Sequence, residues 1–125
     1  MKLQRTLIGI DIIEITRIER AVSQWHDAFL KRIYTAAELE YCCNGYPSLA
    51  ARFAAKEAVM KALGTGTTGL SWRDVEILNE ENGKPFVRLH GKAQHKGEEL
   101  GVMDFSISIS HCEKYAVAIA IGNTL

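Results

Sequence analysis

The centre of the chain reads Arg52-Phe53-Ala54-Ala55-Lys56-Glu57-Ala58-Val59-Met60-Lys61-Ala62. Alanine and other apolar residues dominate this segment, and such a composition predicts an α-helix. At about 3.6 residues per turn, Glu57 lies in the same arc as Leu49 and Phe53, and we expect that arc to face inward. An inward carboxylate needs a partner, and Lys61 is the nearest candidate. The two residues are either the acid and base of a reaction site or an ordinary pair that stabilises a solvated helix.

Length and charge limit the class of protein. A chain of 125 residues is sized for a single domain, expected over residues 1–125. Lys and Arg together number 15, as do Asp and Glu. No overall field therefore draws the chain to nucleic acid or to a membrane, and a charged partner must be met by a local patch. No apolar run reaches the length of a membrane span.

The cysteines bear on the compartment. Cys42, Cys43 and Cys112 are odd in number, and no leader segment precedes them, so we expect a reducing cytoplasm. A zinc site is the alternative, but adjacent Cys42 and Cys43 lack the spacing that tetrahedral ligands usually need. Free cysteines are more often small buried hydrophobes.

The first unit is predicted to be a strand followed by a helix. Leu7-Ile8-Gly9-Ile10 is a short apolar run typical of a buried strand. After Asp11 comes an amphipathic stretch whose apolar positions are Ile12, Ile15, Ile18 and Val22. The structural interpretation of Asp11 is a helix N-cap, with Glu14 completing a capping box.

Three more helices are predicted up to and including the central one. A short helical piece covers residues 28–33. Thr35, with Glu38 three positions on, forms a capping box that begins the next helix, which ends near Asn44-Gly45. The central helix follows over 47–64, with proline at its start and glycine at its end.

The next part of the chain contains a loop, a hairpin and a helix. Residues 65–69 form a glycine-rich loop, which follows a helix C-terminus and is a poor phosphate cradle because the helix dipole there repels anions. Residues 75–78 and 86–89 flank Asn82-Gly83-Lys84-Pro85 as a hairpin. A more polar helix is expected over 91–101.

The tail is predicted to be a second hairpin. Apolar residues alternate with serine over 105–110, the chain turns at 111–114, and it returns over 115–121. No repeat, low-complexity tract or linker interrupts the chain. We therefore predict an α+β fold of a single domain, in which one mainly antiparallel sheet carries helices packed on one side.

Asp11 and Glu57 form a candidate magnesium site. A carboxylate at a strand end can be held rigidly beside a second one from another element. Magnesium typically takes one or two carboxylates, keeps several waters and binds substrate phosphates with its remaining positions. Lys61, on the same helix face as Glu57, would neutralise phosphate charge as it shifts onto a leaving oxygen.

His111 is a further candidate site residue. It follows a strand with one face of serine, which leaves room for a ligand or a neighbouring subunit. The alternative is a turn histidine hydrogen-bonded to backbone.

A basic strip is predicted on the first helix. Arg17 and Arg20 lie one turn apart, with Lys31 and Arg32 beyond them. Most such strips are simply solvated. The functional interpretation is a docking surface for an acidic protein, because arginine suits carboxylates and steers association.

Four motifs occur in a fixed order. They are Gly9-Ile10-Asp11 leading into Arg17-Ile18, residues 52–58 with 61–66, Asn82-Gly83-Lys84-Pro85, and Ser108-Ile109-Ser110-His111 with Tyr115-Ala116. In order and spacing they resemble bacterial holo-acyl-carrier-protein synthase, of the 4′-phosphopantetheinyl transferase family. The resemblance covers nearly the whole chain.

The resemblance implies the 4′-phosphopantetheinyl transferase fold and its reaction. The 4′-phosphopantetheine arm of coenzyme A passes to a serine of acyl carrier protein, magnesium is required, and adenosine 3′,5′-bisphosphate is released. It further implies a role in fatty acid biosynthesis and a homotrimer with active sites in clefts between subunits, which would cover the serine-faced strand. The chain is about half the size of the broader-specificity transferases and has Phe53 where those often have tryptophan, which favours the compact trimeric type.

By matching position, the resemblance assigns Asp11 and Glu57 to the metal and Lys61 to the pyrophosphate. It implies in-line attack of the carrier serine on the β-phosphorus of coenzyme A. The serine proton goes either to Glu57 or to a metal-bound water, and the sequence leaves both open.

Five other residues match family positions. Arg52, Gly64 and His111 correspond to residues near the coenzyme A phosphates, and His111 is counted among the catalytic candidates. Arg17 and Arg20 fall in the helix that meets the acidic carrier protein.

Two other functions compete with this one. The first is a small magnesium phosphohydrolase, in which water replaces the carrier serine. The second is a non-catalytic assembly domain, in which Glu57 and Lys61 are a structural pair and the arginines bind an acidic partner without magnesium or coenzyme A.

Overall fold

The computed structural model describes residues 5–43, 45–66, 68–102 and 104–124. The helices and strands in these ranges are β1 (Thr6–Glu14), α1 (Ile15–Ile33), α2 (Ala36–Cys42), α3 (Tyr46–Leu63), β2 (Val75–Asn79), β3 (Pro85–Leu89), α4 (Gly91–Leu100), β4 (Phe105–His111) and β5 (Tyr115–Asn123), with a short 3₁₀ turn, Trp72–Asp74, before β2. Within these ranges no helix has both the length and the apolar character needed to cross a membrane. The α+β class is confirmed.

The central helix α3 is buried on all sides. Of its 18 residues, 13 are buried, and it packs against β1, β5, β4, β2 and α1. The prediction of a single inward arc was therefore wrong, because the small alanine side chains let other elements approach from every direction. Both ends agree with the sequence: Pro47 lies in the first turn, and Gly64, with φ of 80°, ends the helix.

The first strand is longer than predicted. Residues 6–14 of β1 pair antiparallel with β5, from Thr6 opposite Asn123 to Glu14 opposite Tyr115. Helix α1 begins only at Ile15, whose N–H donates to the carbonyl of Lys114 at 2.8 Å. The predicted N-cap at Asp11 was wrong, since this ladder holds Asp11 in the strand, and the residue at the cap position, Glu14, makes no side-chain capping bond.

Helix α1 is continuous except for a kink. His26 has φ of 47° and ψ of −130° inside the helix, a conformation that an L-residue rarely adopts. The short helical piece predicted over 28–33 is the second half of α1. The sequence gives no glycine or proline at this point to mark the kink.

Helix α2 begins as predicted. The Thr35 hydroxyl accepts from the Glu38 N–H at 3.2 Å, and the Glu38 carboxylate accepts from the Thr35 N–H at 2.8 Å, which confirms the capping box. The helix ends at Cys42. Asn44, where the sequence placed its end, lies outside the described residues.

The strands form two antiparallel sheets. One has the order β1-β5-β4, and the other is the β2-β3 hairpin. Both predicted hairpins are confirmed, but the expected single shared sheet is replaced by two, because β3 packs beside β4 without a hydrogen-bonded ladder. Helix α3 covers one face of the three-stranded sheet, and its other face has no cover among the described residues.

That uncovered face, which we call the outer face, is apolar over two strands. Ile8, Ile10 and Ile12 of β1 are 60%, 59% and 64% exposed. They stand opposite β5 residues, and the β4 residues beside those are serines, so that the face comprises Ile8, Ile10, Ile12, Val117, Ile119, Ile121, Ser106, Ser108 and Ser110. An isoleucine ladder of this kind is unusual on a monomer surface and marks an interaction site.

Candidate active site

Asp11 is held on the covered face of β1. It pairs with Ala118 in the ladder with β5, and its neighbours on the same face, Gly9 and Ile13, are buried. Only 10% of the Asp11 side chain is exposed. The strand thus presents a fixed carboxylate to helix α3.

Gly9 allows α3 to come close to that carboxylate. A Cβ atom at Gly9 would overlap the carbonyl oxygen of Ala58 and lie 2.8 Å from the backbone nitrogen of Ala62. Real side chains do not tolerate such contacts with a helix backbone. The helix therefore lies directly on the strand at Gly9, and this brings the residues on its nearby face to Asp11.

Lys61 reaches across from α3 to β1. Its ammonium donates to the carbonyl oxygen of Ile10 at 3.0 Å and to Oδ1 of Asp11 at 3.2 Å. About half of the side chain remains exposed, at 51%. The Lys61 ammonium is thus held by β1 at Ile10 and Asp11, while the side chain remains accessible to a ligand.

Glu57 completes the group and has an unusual titration. Desolvation, followed by the hydrogen bond and the charge of the neighbouring Asp11, raises the pKa of Glu57 from 4.5 to about 7. The positive charges of Lys61 and Arg17 oppose this rise in pKa. The Glu57 carboxyl group therefore lies beside that of Asp11, and the negative charge of Asp11 disfavours the ionisation of Glu57.

This arrangement fits a hard divalent cation. The donors are carboxylate oxygens from two rigid elements, and a bound cation would relieve the repulsion that raises the pKa of Glu57. No group of three or more His, Cys, Asp or Glu side chains suited to a metal ion occurs in the described residues. Two protein carboxylates are the usual complement for magnesium, which fills its other positions with water and phosphate.

Arg52 does not lie with this group. Its side chain is only 4% exposed, and its guanidinium hydrogen-bonds Asn79 and Ser48 and stacks 4.2 Å from the ring centroid of Tyr41. Its Nε atom has no partner among the described residues. Arg52 therefore points towards α2 and β2 and not towards Asp11.

Gly64 and His111 also stand apart from the Asp11–Glu57 pair. Gly64 is the left-handed cap of α3, and its N–H donates to the carbonyl of Lys61 at 3.0 Å. His111 is exposed at the end of β4, opposite Ala116. It faces the same side of the sheet as Asp11, but it belongs to the far edge strand.

The two arginines of the predicted docking surface are exposed on α1. Arg17 is close enough to lower the pKa of Glu57. The basic strip thus begins beside the acidic pair, a connection that the sequence did not reveal.

Sequence reasoning missed a second charged pair, which joins α3 to α2. Lys56, the residue before Glu57, forms an ion pair with Glu38 at 2.8 Å, and both side chains are 0% exposed. The capping box drew attention to Glu38, but nothing in the alanine-rich sequence indicated that Lys56 points into the core.

Comparison with known proteins identifies the family. The 4′-phosphopantetheinyl transferase superfamily matches residues 7–120. A Holo-[acyl-carrier-protein] synthase from Moorella thermoacetica is 52% identical over 116 residues, or 90% of each chain. One from Herpetosiphon aurantiacus is 46% identical over 121 residues, covering 91% of this chain and 95% of the other.

A solved structure shows the same fold. The crystal structure of Helicobacter pylori holo-[acyl-carrier-protein] synthase in complex with coenzyme A superimposes with a TM-score of 0.85 at 34% sequence identity. The alignment covers 92% of this chain and 98% of the other.

Fold, site and relatives together define a class of transferase. The chain belongs to the 4′-phosphopantetheinyl transferase superfamily, and it is an enzyme of the holo-[acyl-carrier-protein] synthase kind.

Proposed function

We propose that this chain transfers 4′-phosphopantetheine from coenzyme A to a serine of apo acyl carrier protein, depends on magnesium and releases adenosine 3′,5′-bisphosphate. One observation carries the proposal: Asp11, Glu57 and Lys61 meet at the contact between β1 and α3, although Asp11 and Lys61 are 50 residues apart in sequence. The reaction is carried by a single domain over residues 1–125.

Asp11 and Glu57 would hold the magnesium ion. When bound, the ion supplies positive charge that draws the pyrophosphate of coenzyme A to the site and stabilises the charge that develops during transfer. Asp11 is suited to this role because the strand fixes its carboxylate. Glu57 is suited because its burial and the neighbouring Asp11 disfavour its ionised form, which a bound cation would stabilise.

Lys61 would neutralise the leaving phosphate. Its ammonium donates to the carbonyl oxygen of Ile10 and to Asp11, and about half of the side chain stays exposed. A positioned cation of this kind needs no reorganisation as charge moves onto the leaving oxygen. The two hydrogen bonds, to the Ile10 carbonyl and to Asp11, therefore fix the position of the Lys61 ammonium before the transition state forms.

Glu57 is also a candidate to accept the serine proton. In this role the second oxygen of its carboxylate would have to stay free of the cation, because a metal-bound carboxylate oxygen is a poor base. A water molecule at the site is the alternative acceptor.

The remaining matched residues support a site between subunits. Gly64 follows Arg52 by twelve residues, or about 18 Å of helix, so the two cannot contact one pyrophosphate within a single protomer. His111 lies on the opposite edge strand from Asp11. We infer that Arg52 and His111 serve the site of a neighbouring copy, while Gly64 serves its own.

The outer face supports the same assembly. Its isoleucine ladder, Ile8, Ile10 and Ile12, gives a second copy an apolar surface to cover. Together with the family resemblance, this leads to a homotrimer whose active sites lie in the clefts between subunits.

The carrier protein is proposed to dock on α1. Arg17 and Arg20 are exposed there, and Arg17 lies near Glu57, so an acidic carrier on this helix would bring its serine towards the site. We propose that the reaction takes place in the cytoplasm and serves fatty acid biosynthesis.

Mass spectrometry tests the transfer directly. An apo acyl carrier protein mixed with this chain, coenzyme A and magnesium should gain the mass of phosphopantetheine. The Lys61→Met variant should reduce the rate by about a hundredfold, whereas Lys92→Met, an exposed lysine on α4, should leave it unchanged. Bisphosphate release without any carrier protein would indicate a phosphohydrolase instead.

Sedimentation tests the assembly. Ile10→Asp places a charge in the middle of the outer face and should give a folded monomer. Trp25→Asp, at a similarly exposed residue of α1, should remain a trimer. A monomeric wild-type chain would contradict the proposed assembly but not the transfer reaction.

A further inference from the structure

Helix α3 has one face of small residues and one of large residues. The small face consists of the six buried alanines Ala50, Ala51, Ala54, Ala55, Ala58 and Ala62. Helices normally fix their rotation and slide by inserting large side chains into the grooves of a neighbour. The alanine face offers few such protrusions, so the rotation of α3 depends mainly on the contacts of the opposite face.

Lys56 and Glu38 supply directional contacts on that opposite face, where Lys56 lies one turn from Phe53 and Met60. The Lys56 ammonium donates to Oε1 of Glu38 at 2.8 Å and to the carbonyl oxygens of Trp72 and Val75 at 3.1 and 2.6 Å. All three of its N–H donors are thus used. The pair is fully buried, and it connects α3 to the start of α2 and to the chain entering β2.

Glu38 is equally well fixed. Besides Lys56, its carboxylate accepts from the N–H of Thr35 at 2.8 Å and from the N–H of Ile77 at 2.9 Å. Two backbone elements therefore hold the carboxylate that holds the lysine. Any rotation of α3 would have to break several buried hydrogen bonds, each of which is costly to leave unmade.

We propose that Lys56 and Glu38 are positioning residues of the transferase site, which set the rotation of α3 so that Glu57 and Lys61 meet Asp11. This inference rests on the proposed function. Glu57 lies about 100° around the helix from Lys56, so holding one side chain sets the direction of the other. At about 6 Å from the helix axis, a rotation of about 10° moves the Glu57 carboxylate by about 1 Å.

A displacement of that size matters for catalysis. A shift of about 1 Å in a catalytic group can cost about a hundredfold in rate. Stability is less sensitive, because replacing both members of a buried ion pair by uncharged residues of similar volume is often nearly neutral. Positioning and stability can therefore be separated by experiment.

The experiment uses the double variant Glu38→Gln with Lys56→Met. The N–H groups of Thr35 and Ile77 donate to different oxygens of Glu38, so glutamine keeps an acceptor for one of them, and methionine keeps the volume of lysine. Urea unfolding gives the stability, electron paramagnetic resonance gives the Kd for Mn²⁺, and steady-state kinetics give kcat and the KM for carrier protein. We expect a weaker Mn²⁺ site and a kcat lowered about ten- to a hundredfold, with an unchanged KM for carrier protein.

The matched control is Val102→Ala, which removes packing at a buried residue outside α3 and the Lys56–Glu38 pair. It should lower stability but leave kcat and Mn²⁺ binding intact. If the double variant keeps wild-type kcat and Mn²⁺ affinity, or loses no more of either than Val102→Ala at equal stability, the positioning role is overturned. Should the double variant fail to fold, Glu38→Gln with Lys56→Gln takes its place, because the amide at position 56 can still donate to the carbonyl oxygens that Lys56 binds, and the same comparison applies.

Failure of the proposed function would look different. If the wild-type chain transfers nothing, the transfer proposal fails, and the Mn²⁺ affinities of the variants still decide whether the pair positions Glu57.

Discussion

Helix α3 carries two charged residues side by side, and their surroundings are opposite. Lys56 is fully buried, with Glu38 as its partner and two carbonyl oxygens completing its hydrogen bonds. Glu57 is partly open to solvent and lies against a second acid, Asp11, with Lys61 to compensate. The charge of Lys56 is thus compensated within the fold, whereas that of Glu57 lies beside a like charge.

The difference distinguishes Lys56 and Glu38, whose charges compensate each other, from Asp11 and Glu57, whose charges repel. Burial lowers the pKa of Lys56, and the Glu38 carboxylate opposes that fall by favouring the charged ammonium. Burial and a like charge both raise the pKa of Glu57. Groups with conflicting neighbours in an accessible place are those that a ligand can relieve, and such groups concentrate at functional sites. The two regions therefore predict opposite responses to the same kind of change.

Neutralising Glu57 should have the largest effect. In Glu57→Gln the cation loses a ligand, so magnesium-dependent transfer should fall by about a thousandfold. The metal-free protein should be no less stable, since a repelled carboxylate has been removed. Initial rates over a magnesium titration, with thermal unfolding alongside, measure both. Glu81→Gln, at an exposed residue of the β2-β3 hairpin, is the control, and near-normal turnover in Glu57→Gln would remove Glu57 from the metal site.

Filling the contact at Gly9 should come next. Gly9→Ala places a methyl group against the backbone of α3 at Ala58 and Ala62, neither of which can move away without shifting the helix. We expect a loss of about 3 kcal/mol in the free energy of unfolding, measured with urea. Activity should fall further than stability explains, because Glu57 is pushed away from Asp11. Gly45→Ala is the control, because Gly45 has an ordinary φ of −74° and its added Cβ would lie 3.2 Å from the carbonyl oxygen of Cys42, without overlap. A Gly9→Ala protein of wild-type stability would contradict the close approach.

Charge reversal on α1 should have a smaller effect. Arg20→Glu should raise the KM for acyl carrier protein about tenfold and flatten its dependence on salt, while the KM for coenzyme A stays constant. Arg20 is a cleaner probe than Arg17, whose charge also acts on the pKa of Glu57. Kinetics at several salt concentrations measure the effect, and an unchanged KM for the carrier would place the docking surface elsewhere.

The pH dependence of stability should show the smallest effect. The folded-state pKa of Glu57, about 7, exceeds its ordinary value of 4.5. The folded protein therefore holds this proton more tightly than the unfolded chain, and the contribution of Glu57 to stability decreases as the pH rises from 4.5 to 7. After allowance for solvent screening, we expect about 1 kcal/mol.

Unfolding of the metal-free protein at several pH values, compared with Glu57→Gln, isolates this contribution. Saturating magnesium should reverse it, because the ion binds the ionised carboxylate. Identical pH profiles for the two proteins without metal would show that neither burial nor Asp11 raises the pKa of Glu57.

Local signals made much of the fold predictable. Proline and glycine mark the two ends of α3, the Thr35–Glu38 capping box marks the start of α2, and the Asn82-Gly83 turn marks the hairpin. Each of these signals acts over a few residues, so the sequence alone is sufficient. The proximity of Asp11 and Glu57 was also predicted, since two acids of suitable chemistry stand in otherwise apolar segments, and their role as a metal site stays a prediction.

Long-range contacts set the limit of prediction. Asp11 looked like a helix cap because the ladder that keeps it in a strand is made with Ala118, far along the chain. The burial of Arg52 was not predictable because its partners, Tyr41 and Asn79, come from other elements. Lys56 was missed because a lysine in an alanine-rich helix has no local feature that directs it inward.

The alanine surface of α3 also limits how this chain can diverge. Side chains larger than alanine at Ala54, Ala55 or Ala58 would meet neighbours on every side, because these positions are fully buried. In a saturation library screened only for folding, such positions would accept little besides glycine and serine, whereas Glu57 and Lys61 would vary widely. Under the proposed function, screening the same library for phosphopantetheine transfer should make Glu57 and Lys61 intolerant of substitution as well.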